Sequence, residues 1–418
     1  MTESKITSEF IRAIPKTDLH LHLDGSIRLP TLIELAREHN VPLPSYTEEG
    51  LKETVFKERY ANLQEYLHGF KYTTAVLQSG EALERASYEL ACDNFTEGVR
   101  YLEVRFAPQL HCRPGLSIEQ VLEHVNQGLN RAKKEFNSFP AIAEGEEPPF
   151  EYGIIVCAMR MFTAGFSSYY RRFFELHPHT NPTRIHGLAS MALAESIVRL
   201  RNEQGIPIVA FDLAGREDGF PAEEHVEAYR YVHKHFVNKT VHAGEAYGPE
   251  SIFQAITDLH ANRIGHGYHI FSLDRIQDPR IVDKQKYIDN LSQYVANLRV
   301  TLEVCLTSNL QTMPELKSLS QHAFKQMLDA KLSVSLCTDN RTVSNTTVSK
   351  EIELAVEHFG LNARELRKIV VYGFKRSFYP HSYTEKRSYV RKIIDYYESV
   401  EKKFGIDSRK STDRDYNE

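Results

Sequence analysis

Eight short runs rich in β-branched and apolar residues recur along the chain. Each ends in polar side chains, and helical stretches separate them. The runs are Thr17–Asp24, Val99–Pro108, Glu151–Arg160, Pro207–Gly215, Lys239–Glu245, Arg263–Gly267, Val300–Ser308 and Leu332–Asn340. Strand then helix, eight times over, predicts an α/β fold of the (β/α)₈ TIM-barrel type. Ser190–Gln204 has a helical period with Gly205 as its stop, and Glu223–Phe236 and Pro249–Asn262 show the same period. The connection between the first two runs, Gly25–Gly98, is long enough to hold extra helices, Leu51–Phe70 among them. Glu385–Phe404 looks like a closing helix. No internal repeat or low-complexity linker divides the chain, so residues 8–404 are expected to form one barrel domain, with loose termini at 1–7 and 405–418. A doubly wound open sheet also alternates strand and helix, but it would carry a glycine fingerprint after its first strand. Gly265-His266-Gly267 is a two-glycine turn without the rest of that motif, and there is no Walker sequence.

The first run is the most informative. Side chains two apart share a strand face, so Asp18, His20, His22 and Asp24 point one way and Leu19, Leu21 and Leu23 the other. On an ordinary half-exposed strand the polar set would face water. In a barrel the leucine face packs on the helices, and the histidines and aspartates face an interior where they need partners. A metal ion satisfies several at once. Other strand ends supply further ligands: His242 and Glu245 in His-Ala-Gly-Glu, His266 between two glycines, and Asp339 beside Asn340. All fall at strand C-termini, the face where such barrels keep their chemistry. His20, His22, His242 and Asp339 make a set of three imidazoles and one carboxylate, which suits Zn²⁺ better than Fe²⁺, Co²⁺ or Mn²⁺.

Charge and composition narrow the partners. The 51 Lys and Arg against 56 Asp and Glu leave a net charge of −5, without the basic surplus of a nucleic-acid or anionic-membrane binder. No run reaches the roughly 18 apolar residues of a membrane span, and Met1–Arg12 lacks the apolar core of a secretion signal. Five scattered cysteines without a C-x-x-C pair fit a reducing, cytoplasmic setting. Cys305 and Cys337 are expected to be core thiols. Glu103 and Arg105 share a strand face and are expected to form a buried pair, while His225, His233, His235 and His269 are expected at the surface or as caps. Oligomeric state is left open.

The motifs DLHLHLDGS, FDLAG, HAGE, RIGHGYH, LEVCLTSN and SLCTDN, in that order between Asp18 and Asn340, resemble those of the adenosine deaminase family of the amidohydrolase superfamily. The resemblance implies hydrolysis of the 6-amino group of adenosine or 2′-deoxyadenosine to inosine or 2′-deoxyinosine and ammonia, at one zinc ion. It implies that His20, His22, His242 and Asp339 hold the zinc. It also implies that Glu245 protonates N1 and that His266 orients or deprotonates the water, with Asp339 accepting a hydrogen bond from it. His22, Asp24, Gly215 and Asn340 would contact the purine nucleoside: Gly215 through its backbone N–H at N3, Asp24 at the ribose 5′-hydroxyl and Asn340 at N7. Asn340 stands where the most familiar form of the family has a second Asp, and its amide donates at any pH. Tyr66, Leu67 and Phe70 lie with Leu63 on one helical face, and the resemblance makes that helix a lid.

Related activities would share most of these motifs. An adenine deaminase typically resembles HLEG where this chain has HLDG at His22–Gly25. An AMP-type deaminase needs cations near the 5′ end, for which Lys16, Arg28 and Arg216 are candidates, although Asp24 would repel a phosphate. A deaminase of a larger nucleoside such as aminodeoxyfutalosine keeps nearly every motif. An inactive barrel acting as a binding protein would have lost a ligand or Glu245, and none is lost. Deaminases of the cytidine type are excluded by the absence of their H-x-E and P-C-x-x-C pair.

Overall fold

The computed structural model describes residues 6–409. Eight strands form one sheet in chain order: β1 Lys16–His22, β2 Val99–Phe106, β3 Glu151–Met159, β4 Ile208–Ala214, β5 Asn238–Ala243, β6 Arg263–His266, β7 Thr301–Val304 and β8 Ser333–Leu336. Every neighbouring pair from β1–β2 to β7–β8 is parallel. Helices between the strands cover the outside, which gives the expected (β/α)₈ barrel. Leu19, Leu21 and Leu23 are fully buried in the main core, as the alternation in β1 required.

The ladder is thinnest at two seams, and residues of the expected site lie at both. The barrel closes between β1 and the segment after β8 through an isolated parallel bridge, Leu21 to Asp339. There the His22 N–H donates to the Asp339 carbonyl at 2.8 Å and the Asp339 N–H to the His20 carbonyl at 2.8 Å. On the other side, β4 and β5 pair only through Ala210–Asn238 and Phe211–Lys239.

Six of the expected runs match their strands to within two residues at each end, while the seventh and eighth each end four residues beyond theirs, β8 stopping at Leu336. The seventh run was expected to stay extended to Ser308. Instead β7 stops at Val304, and Leu306–Thr312 is a helix. The long first connection holds helices at Leu29–Glu38, Glu48–Thr54, Leu63–His68, Phe70–Val76 and Gly80–Thr96. The expected closing helix spans Tyr383–Phe404. Past it, Ile406 and Ser408 are buried. Residues 1–5 and 410–418, also expected to be loose, lie outside the described residues. Among the described residues no helix is long and apolar enough to cross a membrane.

Candidate metal centre and active site

β1 presents His20 and His22 to the C-terminal rim of the barrel interior, β5 presents His242, and the closing bridge presents Asp339. One ligand atom from each of these four residues lies within 4.8 Å of all the others. His20 Nε2 and His22 Nε2 each stand 3.5 Å from Asp339 Oδ1, and His22 Nε2 stands 3.2 Å from His242 Nε2. Ligand atoms of a tetrahedral zinc site, with bonds of about 2.0–2.1 Å, stand roughly 3.3 Å apart. The spacing therefore fits a small cation. His20 Nε2 is also buried without a hydrogen-bond partner, a cost that metal ligation removes.

A second layer fixes which nitrogen faces the centre. The Nδ1 of His20 lies 2.8 Å from Glu303 Oε2, and the Nδ1 of His242 lies 3.0 Å from Asp212 Oδ2. A carboxylate accepts only, so Nδ1 carries the proton and Nε2 keeps its lone pair for a metal. Arg105 spans the two carboxylates, donating to Asp212 at 3.2 Å and to Glu303 at 2.8 Å. Arg263 donates to the other Glu303 oxygen at 2.6 Å and pairs closely with Glu103. Burial alone would raise the Glu303 carboxyl, but Arg105 and Arg263 outweigh it and hold it well below the ordinary range. Asp212 is likewise held low against burial by His242 and Arg105. The expected Glu103–Arg105 pair is thus replaced: each residue bonds a different partner across the barrel.

Glu245 and His266 sit beside this centre. His266 Nε2 is 3.6 Å from Glu245 Oε1. Burial pushes the Glu245 carboxyl up to about 8, with Asp339 and Glu217 adding to the rise and His242 and Arg160 opposing it. Burial and the nearby His20 push His266 well below its usual value, so it is neutral. His266 and Asp339 both have positive φ, at 63° and 62°. For non-glycine residues that backbone costs about 1–3 kcal/mol each and persists only where the surroundings enforce it. Ser308, from the unexpected helix after β7, donates to Asp339 Oδ2 at 2.6 Å.

The remaining predicted site residues divide into groups. Asp24 is buried, its Oδ1 has no partner, and burial pushes it up to about 7. His111, which the sequence did not single out, lies with its unpartnered Nε2 4.0 Å from Asp24, while its Nδ1–H donates to the Leu77 carbonyl at 2.9 Å. Gly215, directly after β4, has φ +93°, a conformation that requires glycine, and a Cβ there would also press on Met159 at 3.0 Å. Asn340 donates to the Tyr66 hydroxyl at 2.7 Å, and that hydroxyl lies 2.8 Å from Ser344. Tyr66 is therefore fully buried against the rim. Leu67 and Phe70 remain half-buried on the same segment, which runs as two short helices joined by a tighter turn at Gly69, whose own backbone stays right-handed helical. Cys305 and Cys337 are buried thiols as expected. His225 and His269 are not surface residues. His225 is buried against Ser190 and the Arg160 carbonyl, and His269 is buried beside Ser272.

The sequence reading missed Glu303, Asp212, Arg263, Ser308, His111, Arg160 and Glu217. One signal was available for the first three: a charged residue inside an apolar strand run that closes a barrel must point inward and be paired.

Comparison with known proteins places this geometry in context. A family model described as adenosine deaminase matches residues 15–188 and 179–396. The chain is 36% identical over 375 residues to a probable adenosine deaminase of Dictyostelium discoideum, covering 90% of this chain and 42% of that longer protein. It is 33% identical over 386 residues to adenosine deaminase 1 of Streptomyces coelicolor, covering 92% of this chain and 87% of that one. Among solved structures, an amidohydrolase from Burkholderia ambifaria with bound Zn shares the fold, at a TM-score of 0.75, 20% identity and 97% of both chains covered.

The charge layer makes its own prediction. Arg105→Met would leave Glu303 and Asp212 buried without their shared guanidinium, and should lower stability by about 3–5 kcal/mol. Denaturant unfolding measures this, and a wild-type midpoint would refute the bridging role.

Proposed function

Because the chain belongs to the adenosine deaminase family, we propose that it hydrolyses adenosine and 2′-deoxyadenosine to inosine and 2′-deoxyinosine, releasing ammonia, and that its metal is zinc. The observation that supports this most directly is the meeting of His20, His22, His242 and Asp339 at one point, with a buried Glu245 beside it. Zinc at these four ligands would act as a Lewis acid and bring the ionisation of water from about 15.7 down to roughly 7.

The chain's own residues supply the rest. Attack at C6 breaks the ring's aromaticity, so N1 must gain a proton as the new bond forms. Glu245, pushed up to about 8, holds that proton at neutral pH, where an ordinary carboxyl would have lost it. A nearby cation loosens the same proton and favours its transfer. Neutral His266, facing Glu245 across 3.6 Å, has a nitrogen lone pair with which to orient the attacking water. Asp339, one oxygen held by Ser308, offers the other toward the centre. Gly215 brings a bare backbone N–H to the base at N3, Asn340 faces N7, and Asp24 takes the ribose 5′-hydroxyl. His22 lies between the metal cluster and the nucleoside. Tyr66 closes over this rim, with Leu67 and Phe70 on the same segment.

The candidate phosphate cations are engaged elsewhere, which favours a free 5′-hydroxyl over an AMP-type substrate. Lys16 starts β1 at the opposite end of the barrel and donates to the carbonyls of Ile11, Arg12 and Ile14. Arg28 is forked onto Asp93, and Arg216 is exposed beside Asp218. His111, 4.0 Å from Asp24, is held down at about 4 by burial and is therefore uncharged.

Purified protein should contain about one zinc per chain by elemental analysis, and a chelator should remove both metal and turnover until zinc is restored; full turnover without metal would refute the reading. Glu245→Gln should slow deamination by about 10²–10⁴-fold with metal content intact. Retained turnover would take the proton role away from Glu245. Asp24→Ala should reduce kcat/KM for adenosine far more than for adenine, and an equal loss on both would remove the ribose contact.

A further inference from the structure

The strand that carries His242 is poorly supported by its neighbour on one side. β4 and β5 pair only at Ala210–Asn238 and Phe211–Lys239, three residues and more before His242. Beyond that point β6 still pairs with His242 and Ala243 on the far side, but on the β4 side the backbone of His242–Tyr247 needs other partners. Two buried side chains provide them. Arg160, just past the end of β3, reaches across and donates from Nη2 to the His242 carbonyl at 2.6 Å. Glu217, two residues after Gly215, accepts from four successive backbone N–H groups. Its Oε1 takes Gly244 at 2.8 Å, and its Oε2 takes Glu245 at 3.0 Å, Ala246 at 2.7 Å and Tyr247 at 3.0 Å. Ser251, in the first turn of the next helix (Pro249–Thr257), donates to Oε1 at 2.5 Å. Both clamping residues are fully interior, with Arg160 1% and Glu217 3% exposed.

We propose that Glu217 and Arg160 are positioning residues that aim Glu245 at the reacting ring, by holding the backbone of His242–Tyr247 on the side where β4 no longer pairs with it. This rests on the assignment of Glu245 as the proton donor. The physical case is one of complementarity. Four N–H groups turned to one side form a concave donor surface, which an ionised carboxylate fills and no neutral side chain can. Burial would raise Glu217, but Arg160, Ser251 and the backbone donors bring it below the ordinary range, so it is charged. Arg160 takes a carbonyl at the near end of the segment and Glu217 takes the amides at the far end, so rotation of the peptides on either side of Glu245 is blocked. Gly244 adopts φ +69° in this turn, and a side chain there would strike Ile252 at 2.6 Å. The loop is therefore built for one conformation, and the Glu217 carboxylate is what selects it.

The test uses the metal-loaded full chain. Glu217→Gln is isosteric, but its amide turns donors toward donors and breaks the cradle. Deamination of adenosine should then fall by about 100-fold in kcat, the effect of misaiming a catalytic group by about 1 Å. KM should stay within about threefold of wild type, and metal content and thermal midpoint should stay near theirs. Ser251→Ala removes one of the five donors and leaves the loop amides held, so it should cost only about three- to tenfold in kcat. Unchanged kcat in Glu217→Gln would overturn the proposal. So would a loss matched by lost metal or by collapse of the thermal midpoint, since that marks a merely structural role. A wild-type chain that leaves adenosine untouched while deaminating another substrate would instead fail the functional reading. The two failures are therefore distinguishable.

Discussion

Arg105 holds the structure's costliest arrangement together. Its guanidinium lies inside the barrel between two carboxylates, Glu303 and Asp212, and each of these takes the Nδ1–H of a metal-facing histidine. Unpaired, either carboxylate would be expelled or protonated at this depth. Paired, they fix the tautomers of His20 and His242 and set both rings with Nε2 toward the centre. Arg263 and Glu103 extend the layer toward the barrel floor and help balance its charge. A hydrophobic barrel core would be easier to build, yet it could not orient two imidazoles from opposite walls toward one point.

Much of this was legible from periodicity. A two-residue strand repeat put His20, His22 and the leucines on opposite faces, and the rule that barrel strands end at one rim gathered His242, His266 and Asp339. Both statements need only local geometry. The pairing of Arg105 is a different matter. Side chains two apart on one strand point the same way but stand roughly 7 Å apart, so Arg105 and Glu103 each reach across to other strands. Which strands they reach depends on the tilt and stagger of the closed barrel, and no single run encodes that. Glu217 was invisible for another reason. It lies in a loop without a period, and its partners are backbone amides, which leave no mark in the sequence. The start of the helix at Leu306–Thr312 continues the expected strand as far as Ser308, because a short apolar run fits both periods.

The Leu63–Val76 segment, expected as a lid, shows where a family expectation and local geometry part. Leu63, Tyr66, Leu67 and Phe70 have helical spacing, but Gly69 separates Leu63–His68 from Phe70–Val76. Tyr66 is drawn in by a specific bond, from the Asn340 amide to its hydroxyl. Asn340 in turn lies so close to Gly25 that a Cβ there would fall 1.7 Å from its Oδ1. Glycine after Asp24, asparagine after Asp339 and tyrosine in Leu63–His68 are thus one steric and hydrogen-bonded unit. None of the three choices makes sense without the other two.

The site also occupies the two weakest seams of the sheet. At one seam the barrel closes through Asp339, a residue held at positive φ, rather than through a continuous β8–β1 ladder. At the other, β5 parts from β4 before His242 and is held by Arg160 and Glu217. A regular ladder would fix each backbone but would set ligand side chains only at the strand's own spacing and angle. Releasing the ladder frees the backbone to place His242, Glu245 and Asp339 where the proposed cation and purine ring would need them. The released N–H and C=O groups must then be satisfied in the interior. Buried charged side chains do this with short, directional bonds, so the rim keeps the rigidity that the missing ladder would have given. Site geometry and the concentration of buried charge at this end of the barrel are therefore consequences of one choice, to open the sheet where the chemistry sits.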